Sequence, residues 1–347
     1  GILTHADVVP ANADEWVLDD GTKLDPFKLT RVGDLLYGRG TIDDKGSIAA
    51  VLYAMKAVKD SGLPLSRSIR LMIETTEETG GDAMKYYQGK TPLPAYNIVL
   101  DSRYPAVVAE KGTGALKAAF PVVMVKPALG AAVITAMTGA ASANAIPQTA
   151  TARLIATDAA ALAAKLEAAK PAFIAKYTPQ GGKFDIAIAR QALDGADGVD
   201  VKITGSSAHG SRPEEGVNPV PRLALLLQTA LMPAQGQALL QKNQYSEALR
   251  YINGVYGLDY FGKGLNVAYG DDFMGPLTIS PNLIKPGNGQ LEATANARMP
   301  RGKSPEQLKA EVEKGIANWS AAAQVPVKID YTQGNWMARD PKGAWLS

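Results

Sequence analysis

The 347-residue sequence contains no cysteine. That absence removes disulfide bonds, thiolate zinc sites and cysteine nucleophiles together. It leaves the compartment open between a bacterial cytoplasm and a periplasm. Histidine is almost as scarce: His5 and His209 are the whole imidazole supply. Neither charge dominates, with 36 Lys and Arg against 34 Asp and Glu and a formal net charge of +2. Such a balance argues against nucleic acid or an anionic membrane surface as partner. No apolar run approaches the roughly 20 residues of a membrane-spanning helix. No internal repeat, low-complexity linker or signal peptide is visible, and Gly1 falls inside what reads as a strand, so further residues are expected before it. What remains is a hydrophobic fraction of 46% and a charged fraction of 20%. That is the composition of a globular protein, at a length that accommodates two domains.

The chain is organised around Tyr37-Gly38-Arg39-Gly40-Thr41-Ile42-Asp43-Asp44-Lys45-Gly46. Two adjacent carboxylates follow a Gly-rich turn and precede an apolar run of helical spacing. Taken alone, Asp-Asp in a turn reads equally as a solvated loop or a helix cap. Three further stretches change the weight: Thr4-His5-Ala6-Asp7-Val8-Val9-Pro10, Thr76-Glu77-Glu78-Thr79-Gly80 and Leu100-Asp101. Each places an acid or imidazole at the end of an apolar, strand-like run. In α/β sheets ligands bind beyond the carboxyl ends of the strands. An imidazole with several carboxylates is a donor set for one or two divalent metals. Asp7, two residues from His5, falls on the same strand face and can orient the imidazole without being a ligand. Of Glu77 and Glu78, one can bind metal while its neighbour accepts a proton from metal-bound water. An isolated Glu-Glu pair is more often a solvated acidic loop.

In order, the sequence predicts a strand at 1–9 entering His5 and Asp7, a polar loop over 11–36, and a helix from Ser47 to Lys59 with Ile48, Val51, Leu52, Met55 and Val58 on one side. A strand at 68–73, a helix from Asp82 and a strand at 97–100 follow. This alternation argues for an α/β sheet flanked by helices. The character changes near Gly112-Thr113-Gly114. Strands are expected at 115–125, 149–157, 199–204, 277–279, 291–297 and 327–331. Helices are expected at 159–177 (interrupted at Pro171), at 219–231, and after the capping box Ser304-Pro305-Glu306-Gln307. Without strict alternation, this second part reads as α+β.

These motifs, in this order, resemble those of the co-catalytic di-zinc peptidases, a family of aminoacylases, desuccinylases, glutamate carboxypeptidases and dipeptidases. Asp101 with Tyr104-Pro105 and Glu110-Lys111-Gly112 resembles most the bacterial dipeptidase V or carnosinase-like branch. The resemblance implies an α/β catalytic domain with a mixed sheet, at 1–114 plus 334–347, and an inserted α+β lid domain at 115–333. It implies two divalent ions, Zn2+ first, with Mn2+ or Co2+ as alternatives. Asp43 would bridge them, His5 and Asp101 would complete the first site, and Glu78 would bind the second ion. Glu77 would be the general base acting on a metal-bridging water, and Asp7 would orient His5. A cis peptide between Asp43 and Asp44 is implied as well. In the lid, His209 would stabilise the oxyanion, Asn144 would contact substrate, and Arg298 would bind the substrate's terminal carboxylate. The plain alternatives are a turn residue for Asn144, a surface strand residue for Arg298 and a loop cap for His209.

The chain departs from the family pattern in one respect. The family carries a further metal-ligand histidine near its C-terminus, whereas no histidine follows His209. Incompleteness at both ends is the expected reason. The implied function is metal-dependent hydrolysis of unblocked dipeptides by a monomer or homodimer, with no nucleic acid or membrane partner. The alternatives are an N-acyl amino acid amidohydrolase and a non-catalytic binding protein on the same fold.

Overall fold

The computed structural model describes residues 1–102, 106–193, 196–233, 237–287 and 289–343. Tyr104-Pro105 and residues 344–347 therefore lie outside the described residues. The chain divides into two compact units, Gly1–Val107 and Val108–Ser347.

The first unit is built on three parallel strands. β1 (Ile2–His5) lies between β2 (Leu71–Glu74) and β3 (Ile98–Val99), with His5 beside Glu74 and Leu3 beside Val99. Parallel neighbours need long crossovers. Helices α1 (Lys45–Asp60) and α2 (Asp82–Gln88) lie on these connections. α1 packs against β1 and buries Val51, while Leu52 stays half exposed. The stretch expected as a polar loop holds a hairpin, Thr30–Val32 with Leu35–Tyr37, turned on Gly33-Asp34. Gly33 takes a positive φ of 60°, which the short turn requires. The buried positions of this unit are as much polar as apolar: Thr4, His5, Asp44 and Glu74 beside Val51 and Met72.

The second unit holds two antiparallel sheets. One has the order β7-β8-β6-β5, from β5 (Ala132–Thr138), β6 (Thr149–Ala156), β7 (Asp185–Leu193) and β8 (Ala196–Thr204). The other has the order β9-β10-β4-β11, from β4 (Gly112–Pro121), β9 (Thr278–Gly287), β10 (Gln290–Met299) and β11 (Lys328–Gln333). Helices α3 (Ala159–Tyr177) and α4 (Pro219–Leu231) pack on the first sheet, and α5 (Gln244–Val255) and α6 (Pro305–Ala323) on the second. A continuous aliphatic and aromatic core fills this unit, with Leu116, Ile134, Leu154, Leu223, Leu249 and Val312 at 1% exposure or less.

Helix α3 runs unbroken through Pro171, contrary to the interruption expected there. Proline removes one ladder bond and crowds the preceding turn. Leu162 and Leu166 before it, and Phe173 and Tyr177 after it, are all buried, so packing holds both halves in line. α5 was not expected from periodicity. It opens with a capping box between Asn243 and Ser246 and buries eight of its twelve residues.

Candidate metal centre

The first unit brings its acids to one end of its sheet. His5 terminates β1, Glu77 and Glu78 lie in the turn after β2, and Asp101 lies two residues after β3. Asp43 and Asp44 precede α1 and are joined by a cis peptide, as the resemblance implies. His5 is 1% exposed. Its Nε2 lies 2.8 Å from Asp43 Oδ1 and 3.9 Å from Asp101 Oδ2. Its Nδ1 lies 3.0 Å from the carbonyl oxygen of Asp7. A carbonyl can only accept, so Nδ1 carries a proton and Nε2 is the nitrogen turned toward the acids.

Asp7 therefore acts differently from the simple expectation. Its backbone carbonyl takes the closest hydrogen bond from the imidazole, with its carboxylate farther off at 3.4 Å. The carboxylate instead accepts the backbone N–H groups of Glu77, at 3.2 Å, and Glu78, at 3.0 Å. One residue thus sets the imidazole's tautomer and holds the Glu77–Glu78 turn. Asp44 was seen in the sequence only as the neighbour of Asp43. It is buried, and its Oδ2 accepts the N–H of His5 at 3.2 Å. Buried Glu74 was also missed. Its Oε1 accepts from Thr76 Oγ1 at 3.0 Å and from the Met84 N–H at 3.2 Å, tying α2 to the end of β2.

Two sets of side chains converge closely enough to hold an ion: His5, Asp43 and Asp101, and His5, Glu77 and Glu78. Within each set the ligand atoms lie within 4.8 Å of one another. One imidazole nitrogen with several carboxylate oxygens suits zinc, manganese or cobalt. The acids crowd one another electrostatically. Burial, then Asp43 and Glu77, push the Asp101 carboxyl up to about 6. Burial and then Glu78 raise Glu77, and burial and then Asp43 raise Glu78. Burial opposes a charged imidazole at His5, but Asp101 and Asp43 outweigh it and raise its pKa. A cavity of about 380 Å3 opens beside these groups, lined by His5, Glu77, Asp101, Glu74 and Met84 among others.

This crowding has a measurable consequence. A carboxyl raised to about 6 favours the folded, metal-free protein at acid pH. That contribution is full below the unfolded value of about 3.9 and is lost as pH rises through the folded pKa. Metal held by these residues would replace the proton, so stripping it should destabilise the protein more at about pH 7.5 than at about pH 5. With metal at about 100 times its dissociation constant, the difference near neutrality is about 2.7 kcal/mol. Thermal unfolding of the full-length protein with and without chelator measures it, and an equal gap at both pH values would refute the linkage.

The expected lid residues lie in the second unit, on segments that belong together. Ala145–Ile146 pairs with Ala208–His209, placing His209 beside Ala145, next in sequence to Asn144. The Ser211 N–H donates to His209 Nδ1 at 3.3 Å. The same nitrogen lies 2.7 Å from Ser211 Oγ, so both contacts of Ser211 hold the ring in one orientation. Arg298 is not the surface strand residue of the plain alternative. It is 9% exposed, donating from Nε to Asn296 Oδ1 at 3.0 Å and from Nη1 to Thr113 Oγ1 at 2.7 Å.

A parallel sheet with a histidine and several carboxylates at its strand ends defines a class: α/β proteins that use divalent metals. The chain belongs to peptidase family M20/M25/M40, whose model matches residues 1–189, and a peptidase dimerisation domain matches residues 191–320. It is 28% identical over 320 residues to the Beta-Ala-Xaa dipeptidase of Lactobacillus delbrueckii subsp. lactis, covering 89% of this chain and 59% of that protein. Human carnosine dipeptidase 1 matches 99% of this chain with 63% of its own, at 13% identity and a TM-score of 0.48. The dipeptidase Dug1p of Saccharomyces cerevisiae matches 99% of this chain with 63% of its own, at 15% identity and a TM-score of 0.44. Both structural likenesses are too loose to add weight to the family match. The chain spans about three fifths of the length of the curated relatives it matches, 59% and 58% for two of them. Among the described residues no helix is long and apolar enough to cross a membrane.

Proposed function

We propose that the full-length protein is a metal-dependent dipeptidase that hydrolyses the peptide bond of unblocked dipeptides. The observation that carries this reading is the convergence of His5, Asp43, Asp101, Glu77 and Glu78 at the sheet's carboxyl end, in a chain of this peptidase family. His5, Asp43 and Asp101 would hold one divalent ion, and Asp43 with Glu78 would contribute to a second, zinc being the first choice. Metal bound there would polarise the scissile carbonyl and bring the pKa of a water toward about 7. Glu77 takes the proton of the attacking water, and Asp7 holds both Glu77 and His5 in place. Of the second unit's residues, Arg298 would bind the substrate's terminal carboxylate, Asn144 would contact substrate, and His209 would stabilise the developing oxyanion. The proposed domain division is 1–114 plus 334–347 for metal binding and 115–333 for the lid. The similarity of the Lactobacillus protein favours dipeptides over N-acyl amino acids, and the dimerisation-domain match favours a homodimer over a monomer.

The test is hydrolysis of a dipeptide panel and of N-acyl amino acids by the full-length protein, beside elemental analysis. About two ions per chain with chelator-sensitive cleavage of dipeptides is the expected result. Preferred cleavage of the N-acyl substrates would make it a deacylase. Bound metal without turnover of either class would make it a binding protein.

A further inference from the structure

A buried amide network in the second unit leads to the proposed substrate contacts. Strand β9 pairs with β10 in regular register as far as Pro281 beside Ala295, and pairing resumes with Leu283 beside Thr294. Asn282 is the extra residue of that bulge. Bulges re-aim a side chain, and this one points inward: Asn282 is 0% exposed, like Ser280 and Asn218.

Asn282 clamps the 139–144 segment at two points. Its Nδ2 donates to the carbonyl of Ala143 at 2.8 Å, and its own carbonyl accepts the Ala140 N–H at 2.8 Å. Gly139 fits beneath it only because it lacks a Cβ, which would lie 2.5 Å from the Asn282 carbonyl oxygen. The next residue is Asn144, whose carbonyl accepts the Gly210 N–H at 2.6 Å. The same clamp therefore reaches the Ala145–Ile146 and Ala208–His209 pairing.

Behind Asn282 the network is anchored to a helix. Asn218 Nδ2 donates to Asn282 Oδ1 at 3.0 Å and to Ser280 Oγ at 3.1 Å, and the Ser280 hydroxyl donates to Asn282 Oδ1 at 2.8 Å. Asn218 is the N-cap of α4, accepting the Val220 N–H at 3.0 Å. Its carbonyl takes a bond of 2.9 Å from fully buried Arg222. A buried polar network contributes little net stability over an apolar core, but it does specify one geometry.

We propose that Asn282, backed by Asn218, is a positioning residue that sets the placement of Asn144 and His209. The inference rests on the reading that those two residues contact substrate.

The experiment uses the full-length, metal-loaded protein and compares Asn282→Asp and Asn282→Ser with the parent. Aspartate keeps the acceptor for Asn218 and Ser280 but, as a carboxylate, loses the donor to Ala143. Serine is too short to reach that carbonyl. Both variants should lose tenfold to about 10²-fold in kcat/KM for dipeptides, the scale set by small misplacements of binding groups. Metal content should be unchanged, and the deficit should persist per folded, metal-loaded molecule. Combined with Asn144→Ala, either variant should cost less than the sum of the separate losses, because part of the Asn282 effect runs through Asn144. A merely structural role would lower the unfolding midpoint yet leave kcat/KM per folded molecule at the parent value. That result, or strictly additive losses, would overturn the proposal. If Asn144→Ala and His209→Ala themselves leave hydrolysis untouched, the underlying reading fails and this proposal with it. If those matter and the Asn282 variants do not, only the positioning role is lost.

Discussion

Glu77→Gln in the full-length protein is expected to slow dipeptide hydrolysis roughly 10²–10⁴-fold, the range for removing a general base. Metal content should match that of the parent. The substitution is nearly isosteric, and the turn is held through the Glu77 backbone N–H by Asp7, so the loop should keep its place. What disappears is a carboxylate whose pKa is raised, first by burial and then by Glu78, in the direction that suits a base near neutral pH. The structure makes the control indispensable, because Glu77 also stands within ligand distance of His5 and Glu78. Elemental analysis beside kinetics separates the two roles. Activity lost with full metal content identifies a base; parallel loss of metal identifies a ligand; and parent-level turnover would reject the mechanism outright.

Arg298→Met is expected to lose activity without losing the fold. Arg298 is nine-tenths buried, and its described partners are the neutral Asn296 and Thr113. Burial lowers its pKa, with Glu110 acting in the other direction. A guanidinium so placed costs desolvation that no ion pair among the described residues offsets, and such groups are often replaced by apolar residues at no loss of stability. A substrate carboxylate would supply the missing charge. Truncating one partner of a buried charged pair costs about 2–5 kcal/mol, or roughly 30- to 5,000-fold in kcat/KM. The loss should fall mainly on KM, since the carboxylate is held equally in ground and transition states. Steady-state kinetics and a melting curve of the same preparation decide it. An unchanged KM with a lowered melting temperature would make Arg298 a structural residue.

The metal centre was legible because its chemistry is local in sequence. Each ligand-type residue closes a short apolar run, and strand ends in a parallel sheet converge whatever the intervening chain does. Asp7 was half legible: the spacing from His5 was plain, but the use of its carboxylate on the Glu77 and Glu78 amides depends on pairing residues some 70 apart. Asp44 and Glu74 were passed over because buried second carboxylates look like solvated acids until the backbone groups they receive are known. In the second unit the misses share a cause. The burial of Arg298 and the bulge at Asn282 come from strand register and from segments folded over one sheet face, and no periodicity within a strand encodes either. Pro171 shows the converse, a strong local signal overruled by the packing of Leu166 and Phe173.

The scarcity of imidazoles has a spectroscopic consequence. Of the two in residues 1–347, His5 belongs to the first unit and His209 to the second, one held by the Asp7 carbonyl and the other by Ser211. Ring nitrogen shifts distinguish protonated from bare sites. Isotope labelling at histidine alone would therefore give this stretch of the protein one reporter ring in each unit, and added metal should move the His5 ring signals while leaving those of His209 in place if the proposed assignment of His5 holds.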